Sequence, residues 1–298
     1  MDVAREICGP FERIVMTARV RVPGEEFLGT AEVSVYRVGD LLVDAGPIRF
    51  ADALVKALAS TPPRLILLTH HHEDHVGGVA ALRHAFGNVA VFAPRPLLPL
   101  LAQPPAIGAY RTSYWGNPEP IHDATAVDEG AMFDASHLRI AATETPGHTP
   151  GHMSYLARAG GDTYALTGDL LVNARAYFGF FESSAWDLVR SLRRIASHGG
   201  LHVLPSHGRI RPDGATALLK AAYWLKEEAA AIREAATRLG TSDPIDVACQ
   251  LYGPPEPSEL GTGGDFSTAA LVRSVLAPPE AHPIARLELE SAPLTHTP

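Results

Sequence analysis

Thr69-His70-His71-His72-Glu73-Asp74-His75-Val76-Gly77-Gly78 puts four histidines and two acids into the six positions from 70 to 75. Just upstream, the apolar run Leu65-Ile66-Leu67-Leu68 reads as a short buried strand. Just downstream, Val76-Gly77-Gly78-Val79-Ala80-Ala81-Leu82 reads as the start of a helix. The cluster therefore falls on a strand-to-helix turn, where a short loop can present function on a rigid scaffold. His70 and His72 project to the same side of an extended chain. Asp74 and His75 follow where the chain turns, so they can face a second point. Neutral imidazoles beside carboxylates suit zinc, iron or manganese. A solvated His-rich loop is the competing reading of this stretch taken alone.

Three further loops weigh against that reading. Leu138 to Thr143 alternates as a strand and runs into Glu144-Thr145-Pro146-Gly147-His148-Thr149-Pro150-Gly151-His152, a tight bend around His148. Tyr155-Leu156 and Tyr164-Ala165-Leu166 read as strands joined at Gly160-Gly161-Asp162, and the second ends at Thr167-Gly168-Asp169. Leu201-His202-Val203-Leu204 is another short strand, ending at Pro205-Ser206-His207-Gly208. Residues 70–75, His148, Asp169 and His207 thus all follow strand ends. Loops converging on one sheet edge are how an α/β scaffold assembles a site.

The remaining pattern completes an α/β reading. Arg13 to Val22, Ala31 to Val38 and Leu41 to Val43 read as strands, the last running into Asp44-Ala45-Gly46-Pro47. Phe50 to Ala59 is helical and stopped by Thr61-Pro62-Pro63; a helix to about Phe86 and a strand, Val89 to Phe92, follow the His-rich turn. Pro94 to Pro120 is proline-rich and carries Tyr110, Arg111, Tyr114 and Trp115, which suggests a long irregular loop acting as a lid or pocket wall. Ala185 to Ala196 is helical. From Asp213 the character changes: Leu218, Leu225, Ile232 and Leu239 recur every seven residues, the stripe of a long amphipathic helix ended by Gly240. Thr241-Ser242-Asp243-Pro244 caps a shorter helix, Ile245 to Leu251; Pro254 to Gly264 reads as linker, Phe266 to Leu276 as a helix, and the tail after Pro278 as loose. The expected division is a catalytic domain over 1–212 and a C-terminal helical extension over 213–298.

Composition bounds the partners. The 298 residues are 46% hydrophobic and 19% charged, enough for a sizeable core. The net charge of −8 disfavours nucleic acid and anionic membrane, both of which need a basic face. Cys8 and Cys249 are too few and too scattered for a disulfide framework or thiolate site. The acidic N-terminus lacks the apolar stretch of a signal peptide, and no eighteen-residue apolar run occurs, so a cytoplasmic protein is expected.

His70-x-His72-x-Asp74-His75, His148 in Thr-Pro-Gly-His-Thr, Asp169 in Thr-Gly-Asp and His207 before a glycine together resemble the metallo-β-lactamase-fold superfamily, and within it the glyoxalase II-type hydrolases. The resemblance covers roughly residues 14 to 211. It implies a four-layer αββα sandwich with two metal ions at one edge. His70, His72 and His148 would hold the first, Asp74, His75 and His207 the second, and Asp169 would bridge them. It also implies that Asp44 supports the metal turn and that His152 is structural. His71 and Glu73, between ligands, should point away into supporting or solvent roles. His84, His122, His137, His198 and His202 match no motif and read as surface or packing residues.

The activity so implied is hydrolysis of a small ester, thioester or lactone. Two divalent ions, zinc first and iron or manganese with the same ligand types, would lie about 3.5–4 Å apart and could share a hydroxide able to attack a carbonyl. Asp74 can also relay a proton to the leaving group. Alternatives are a mononuclear iron sulfur dioxygenase, which needs only part of this ligand set, and an endoribonuclease of the same fold. The acidic balance disfavours the latter, although Arg193, Arg194, Arg209 and Arg211 form a small basic group. Tyr177, Phe178, Phe180 and Phe181 with Tyr110, Tyr114 and Trp115 suggest a hydrophobic acyl or ring-bearing substrate. The expected pocket residues are Tyr110, Tyr114, Trp115, Phe178, Tyr223 and Trp224. No basic pattern of the kind that binds glutathione follows Asp169. A small-molecule substrate is the expected partner, with a homodimer possible through the C-terminal helices.

Overall fold

The computed structural model describes residues 1–21 and 28–277. Strands β1 (Asp2–Cys8), β2 (Phe11–Arg21), β3 (Leu28–Val38) and β4 (Leu41–Val43) form an antiparallel meander. Helix α1 (Ala51–Leu58) then crosses over to β5 (Leu65–Leu67), parallel to β4. After it come α2 (Glu73–Val76) and α3 (Val79–Phe86), then β6 (Ala90–Pro94), α4 (Leu98–Ala102), α5 (Ala109–Trp115) and β7 (Thr125–Val127), which closes a seven-stranded sheet ordered β1 to β7. The second sheet has five strands: β8 (Met132–Ala135), β9 (Leu138–Glu144), β10 (Met153–Ala159), β11 (Asp162–Gly168) and β13 (Leu201–Pro205), ordered β13-β11-β10-β9-β8. Between β11 and β13 lie β12 (Gly179–Phe180) and α6 (Ala185–Ala196), and after them α7 (Gly214–Leu239), α8 (Pro244–Tyr252), α9 (Pro257–Gly261), β14 (Phe266–Ser267) and α10 (Thr268–Leu276).

The layers follow from strand alternation. Ile66 and Leu68 face a cluster with Ile14, Met16, Leu54 and Leu82, between the first sheet and α1 and α3. Leu41, Val43 and Leu67 face the opposite way, onto Ile140, Tyr155 and Leu166 of the second sheet. The outer face of that sheet, through Leu156, Ala165 and Val203, packs on Leu192 and Ile195 of α6 and Leu218 and Ala222 of α7. The result is helix on sheet on sheet on helix, the αββα sandwich expected. The remaining helices share a fourth cluster in which Leu225 and Ile232 of α7 meet Val247, Leu271 and Val275.

Two tyrosines cross between the sheets and tie the core to the site. Tyr36 of β3 donates its hydroxyl to the Pro205 carbonyl at 2.7 Å, and Tyr155 of β10 donates to the Leu68 carbonyl at 2.8 Å. Each satisfies a polar group that would otherwise be orphaned in an apolar interior, a loss of about 1–3 kcal/mol. Both acceptors lie just before candidate ligands, so the core fixes where the strand ends point.

Several expectations need correcting. Pro94 to Pro120 is not irregular throughout: it contains α4 and α5, because proline is tolerated in a helix's first turn, as Pro99 is in α4. Pro254 to Gly264 holds α9, whose capping box reciprocally joins Glu256 and Glu259. Phe266 starts a short strand, and the helix begins only at Thr268, with the Ser267 side chain as its cap. Strand β1 has no counterpart in the sequence analysis because it is an edge strand exposed along almost its whole length, with no alternation to betray it. Val22 and the tail after Pro278 lie outside the described residues.

Candidate metal centre

The turn after β5 is built against the loop that follows β4. A Cβ on Gly78 would lie 2.1 Å from the Ala45 carbonyl oxygen, so this contact admits only glycine. Asp44 anchors the junction from a left-handed conformation, φ 61°, that its short polar side chain tolerates. Its carboxylate accepts from the Thr69 backbone N–H at 2.8 Å and from the Thr69 hydroxyl at 2.9 Å, and lies 2.8 Å from His75 Nδ1. Asp44 thus holds the turn at both ends, the supporting role expected of it.

Each ligand-type imidazole described next has one nitrogen tied outward. Nδ1 of His70 lies 3.0 Å from the Thr69 hydroxyl, and Nδ1 of His207 is 2.7 Å from the Glu32 carbonyl. Nε2 of His72 is 2.5 Å from Glu182 Oε1. The other nitrogens converge. His72 Nδ1 and His148 Nε2 are 3.1 Å apart, and the ligand atoms of His70, His72 and His148 fall within 4.8 Å of one another. Asp74, His75 and His207 form a second such group, with Asp74 Oδ2 3.1 Å from His207 Nε2. Asp169 stands between the two: Oδ2 is 3.5 Å from His148 Nε2, and Oδ1 is 3.3 Å from His75 Nε2 and 3.6 Å from His207 Nε2.

The electrostatics differ between the halves. Burial, reinforced by neighbouring cationic groups, holds His70 and His72 well below the ordinary imidazole range. Burial also lowers His148 to about 4 against the pull of Asp169. In the second half, burial opposes protonation too, but Asp74, Asp44 and Asp169 raise His75 well above its usual value, and Asp169 with Asp74 raise His207 to about 9. Burial pushes Asp169 upward, yet His207 and His75 prevail and hold it below the carboxylate range.

This donor set fits divalent ions. His70 Nε2, His75 Nε2 and Asp169 Oδ1 are fully buried and make no hydrogen bond among the described residues. Burying such atoms unpaired is costly. All three point at common centres, and nitrogen and carboxylate donors of this kind are zinc, iron or manganese ligands. The seven residues singled out in the sequence are therefore gathered at one edge of the sandwich.

The surroundings depart from expectation in places. His71 and Glu73 do point away from the centre, but neither reaches solvent: both are buried. His71 lies 3.7 Å from Glu182 and is lowered to about 3 by burial. Glu73 is held by a two-pronged contact with Arg111, at 2.9 and 2.6 Å, and Arg111 reaches Asp265 at 2.8 Å. His152 is structural, joining the Thr145 hydroxyl through Nδ1 and accepting from the Asp169 N–H through Nε2. Phe180 covers His72 and His148 with ring centroids 4.8 and 5.2 Å away, and Trp115 borders His207 at 6.0 Å. Glu182 is a site residue that sequence reasoning missed. Its only trace in the sequence is that it is the single acid between Asp169 and Asp187, at the end of the aromatic run 177–181. Burial raises its carboxyl to about 8 against the pull of Arg111.

A cavity of about 640 Å³ opens beside these residues. Tyr110, Tyr114, Trp115, Phe178 and Trp224 line it. Tyr223 does not: it is 65% exposed to solvent. Helix α7 instead meets the cavity through Ala221, Trp224 and Leu225.

An αββα sandwich with histidine and aspartate triads at one edge, sharing an aspartate, is the architecture of the metallo-β-lactamase fold. Residues 31–207 match the Metallo-beta-lactamase superfamily, and the chain belongs to that family. It is 31% identical over 159 residues to a hydroxyacylglutathione hydrolase from Aeromonas hydrophila, covering 53% of this chain and 52% of that protein. To the probable metallo-hydrolase YybB of Bacillus subtilis it is 34% identical over 144 residues, 45% of this chain and 58% of the relative. To a hydroxyacylglutathione hydrolase from Aeromonas salmonicida it is 29% identical over 228 residues, 75% and 73% of the two chains. The chain thus spans about half the length of the first two relatives and about three-quarters of the third. Among solved structures, a metallo-beta-lactamase family protein from Thermus thermophilus superposes with a TM-score of 0.61 at 19% identity, over 92% of this chain and 93% of that one. Among the described residues no helix is long and apolar enough to cross a membrane.

Proposed function

We propose that this protein is a metal-dependent hydrolase of a small ester, thioester or lactone, with His70, His72 and His148 holding one divalent ion, Asp74, His75 and His207 a second, and Asp169 shared. The observation that carries the reading is the position of Asp169, whose two oxygens face different triads. Two ions held there, zinc first, would supply a nucleophile by lowering the pKa of water toward about 7 and would polarise a carbonyl. The chain's own groups do the rest. Asp44, Glu182, Thr69 and the Glu32 carbonyl orient the ligand imidazoles, as outer partners do in metal sites generally. Asp74 lies at the pocket wall and can pass a proton to a departing alkoxide or thiolate. Phe180 and Trp115 set apolar rings against His72 and His207, a partly desolvated border that strengthens electrostatic contacts beside it. Similarity to hydroxyacylglutathione hydrolases favours thioesters within this range.

The test is a panel of thioesters, esters, lactones and phosphodiesters, run on protein of measured metal content. Cleavage of the carbonyl substrates that disappears on chelation and returns with zinc supports the reading. Cleavage of phosphodiesters alone would replace it with the nuclease alternative.

A further inference from the structure

We infer that the substrate's acyl part is an extended aliphatic chain of about eight to ten carbons, seated end-on along the cavity wall that α6, α7 and α10 share, with its carbonyl at the metal ligands. This deepens the hydrolase reading and rests on it.

The cavity has a polar end and an apolar end. His72, Asp74, His148, Asp169 and His207 form the first. Leu188 and Leu192 of α6, Ala221 and Leu225 of α7 and Leu271 of α10 form the second. Helix α6 begins at the metal centre: the Ser183 hydroxyl donates to the His148 carbonyl at 2.9 Å, and the Ser184 N–H donates to the Gly147 carbonyl at 2.8 Å. It then runs back along the incoming chain, with the Ser191 hydroxyl on the Pro146 carbonyl and Arg194 on the Glu144 carbonyl. Leu188 and Leu192 therefore lie one and two turns deeper than the ligands. From Ser184 to Leu192 the helix rises about 12 Å. A fully extended chain advances about 1.2 Å per bond, so this depth matches about ten bonds. The volume of about 640 Å³ lies within the range of about 300–1,000 Å³ typical of small-molecule sites.

The deep end offers little to a polar acyl group. Ser184 Oγ accepts from the Asp187 N–H as the cap of α6, and the Ser274 hydroxyl donates to the Leu271 carbonyl, so each hydroxyl is already held in a local bond. Glu73 and Arg111, the charged lining residues outside the metal set on the buried side, are committed to each other and to Asp265. Arg175 lies on the exposed stretch at the rim. A sugar, amino acid or peptide in the depth would lose hydrogen bonds to water and gain none. An alkyl chain gains for every methylene it buries. The reaction balances as hydrolysis: water adds at the carbonyl carbon, the C–S or C–O bond breaks, the released thiol or alcohol takes up one proton of the water, and the acid leaves as carboxylate with the other proton passing to solvent.

The test is a series of N-acetylcysteamine thioesters, acetyl through dodecanoyl, on the metal-loaded protein. We expect kcat/KM to rise about two- to fourfold per methylene, at least about sixtyfold from acetyl to octanoyl, and to flatten near ten carbons. Decanoate should inhibit competitively at least tenfold more tightly than butanoate, a measurement that requires no variant. Ala221→Phe, which blocks the depth, should lower the octanoyl-to-acetyl ratio of kcat/KM at least tenfold. A flat or falling series with acetyl thioester cleaved, or equal inhibition by both acids, overturns the acyl-chain inference and leaves the hydrolase standing. Refusal of every thioester, ester and lactone by protein carrying its metals overturns both.

Discussion

Glu182 offers the sharpest test of how the chain organises its metal ligands. It lies 110 residues from His72 in sequence and 2.5 Å from it in space, and it is the group that fixes the orientation of that imidazole. With a divalent ion on His72, the imidazole would donate through Nε2 and Glu182 would accept as the carboxylate, so replacing Glu182 by alanine removes a charge-assisted hydrogen bond worth about 1.5–3 kcal/mol. At about 1.4 kcal/mol per factor of ten, that is roughly a 10- to 100-fold loss of affinity, the range seen when an outer carboxylate is removed from a metal-bound histidine. Glu182→Gln retains a neutral acceptor and should lose several-fold only. The loss should fall on one ion, because His75 and His207 take their outer contacts from Asp44 and the Glu32 carbonyl instead. Competition with a chromophoric chelator, resolving the two binding steps, measures this directly, with circular dichroism to check that the variants fold. Equal weakening of both steps, or unchanged affinity in a folded Glu182→Ala protein, would refute the assignment of His72 to a site distinct from that of Asp74, His75 and His207.

Other expectations follow from the same geometry. Elemental analysis of gently purified protein should approach two metal ions per chain, and Asp169→Ala should lower that toward one, since the shared carboxylate no longer offsets the charge of both ions; one iron per chain with oxygen consumed on a persulfide would instead indicate a dioxygenase. Trp224→Ala should raise KM or change substrate preference with metal content intact, whereas Tyr223→Ala should do neither; the reverse pattern in steady-state kinetics would contradict the orientation of α7. Tyr155→Phe should leave the Leu68 carbonyl unpaired at a cost of about 1–3 kcal/mol and lower the thermal midpoint by several degrees, so an unchanged melting curve would show that this bond does not hold the turn.

Much of the centre was legible because it is written locally. His70, His72, Asp74 and His75 occupy one turn, and His148, Asp169 and His207 each follow a strand whose alternation marks its end. Spacing and residue type suffice there, since a strand's period fixes which way its last side chains can point. Strands β2 to β6, β9 to β11 and β13 and the helices α1, α6 and α7 emerge from the same periodicities, whereas the short strands β7 and β8 do not. Where periodicity is absent, as in the exposed edge strand β1 or the proline-rich segment around α4 and α5, the sequence carried no signal strong enough to read.

Tertiary packing alone decided the rest. That Glu182 meets His72, that Arg111 joins Glu73 to Asp265, and that α6, α7 and α10 share the apolar wall of one cavity are contacts between segments brought together only by the stacking of layers. Tyr223 and Trp224 make the distinction concrete. Both are aromatic neighbours on one helix, equally suited by composition to line a pocket. Which of them does so depends on the rotation of α7 about its axis, set by Leu218, Leu225 and Ile232 docking on surfaces supplied by α6, α8 and α10. Leu239, in register with that stripe, lies in the last turn and stays exposed because no surface reaches it. A heptad tells the chain that a face must be buried; only the partner surfaces determine how far along the helix that burial extends and which flanking side chains it carries toward the metal centre.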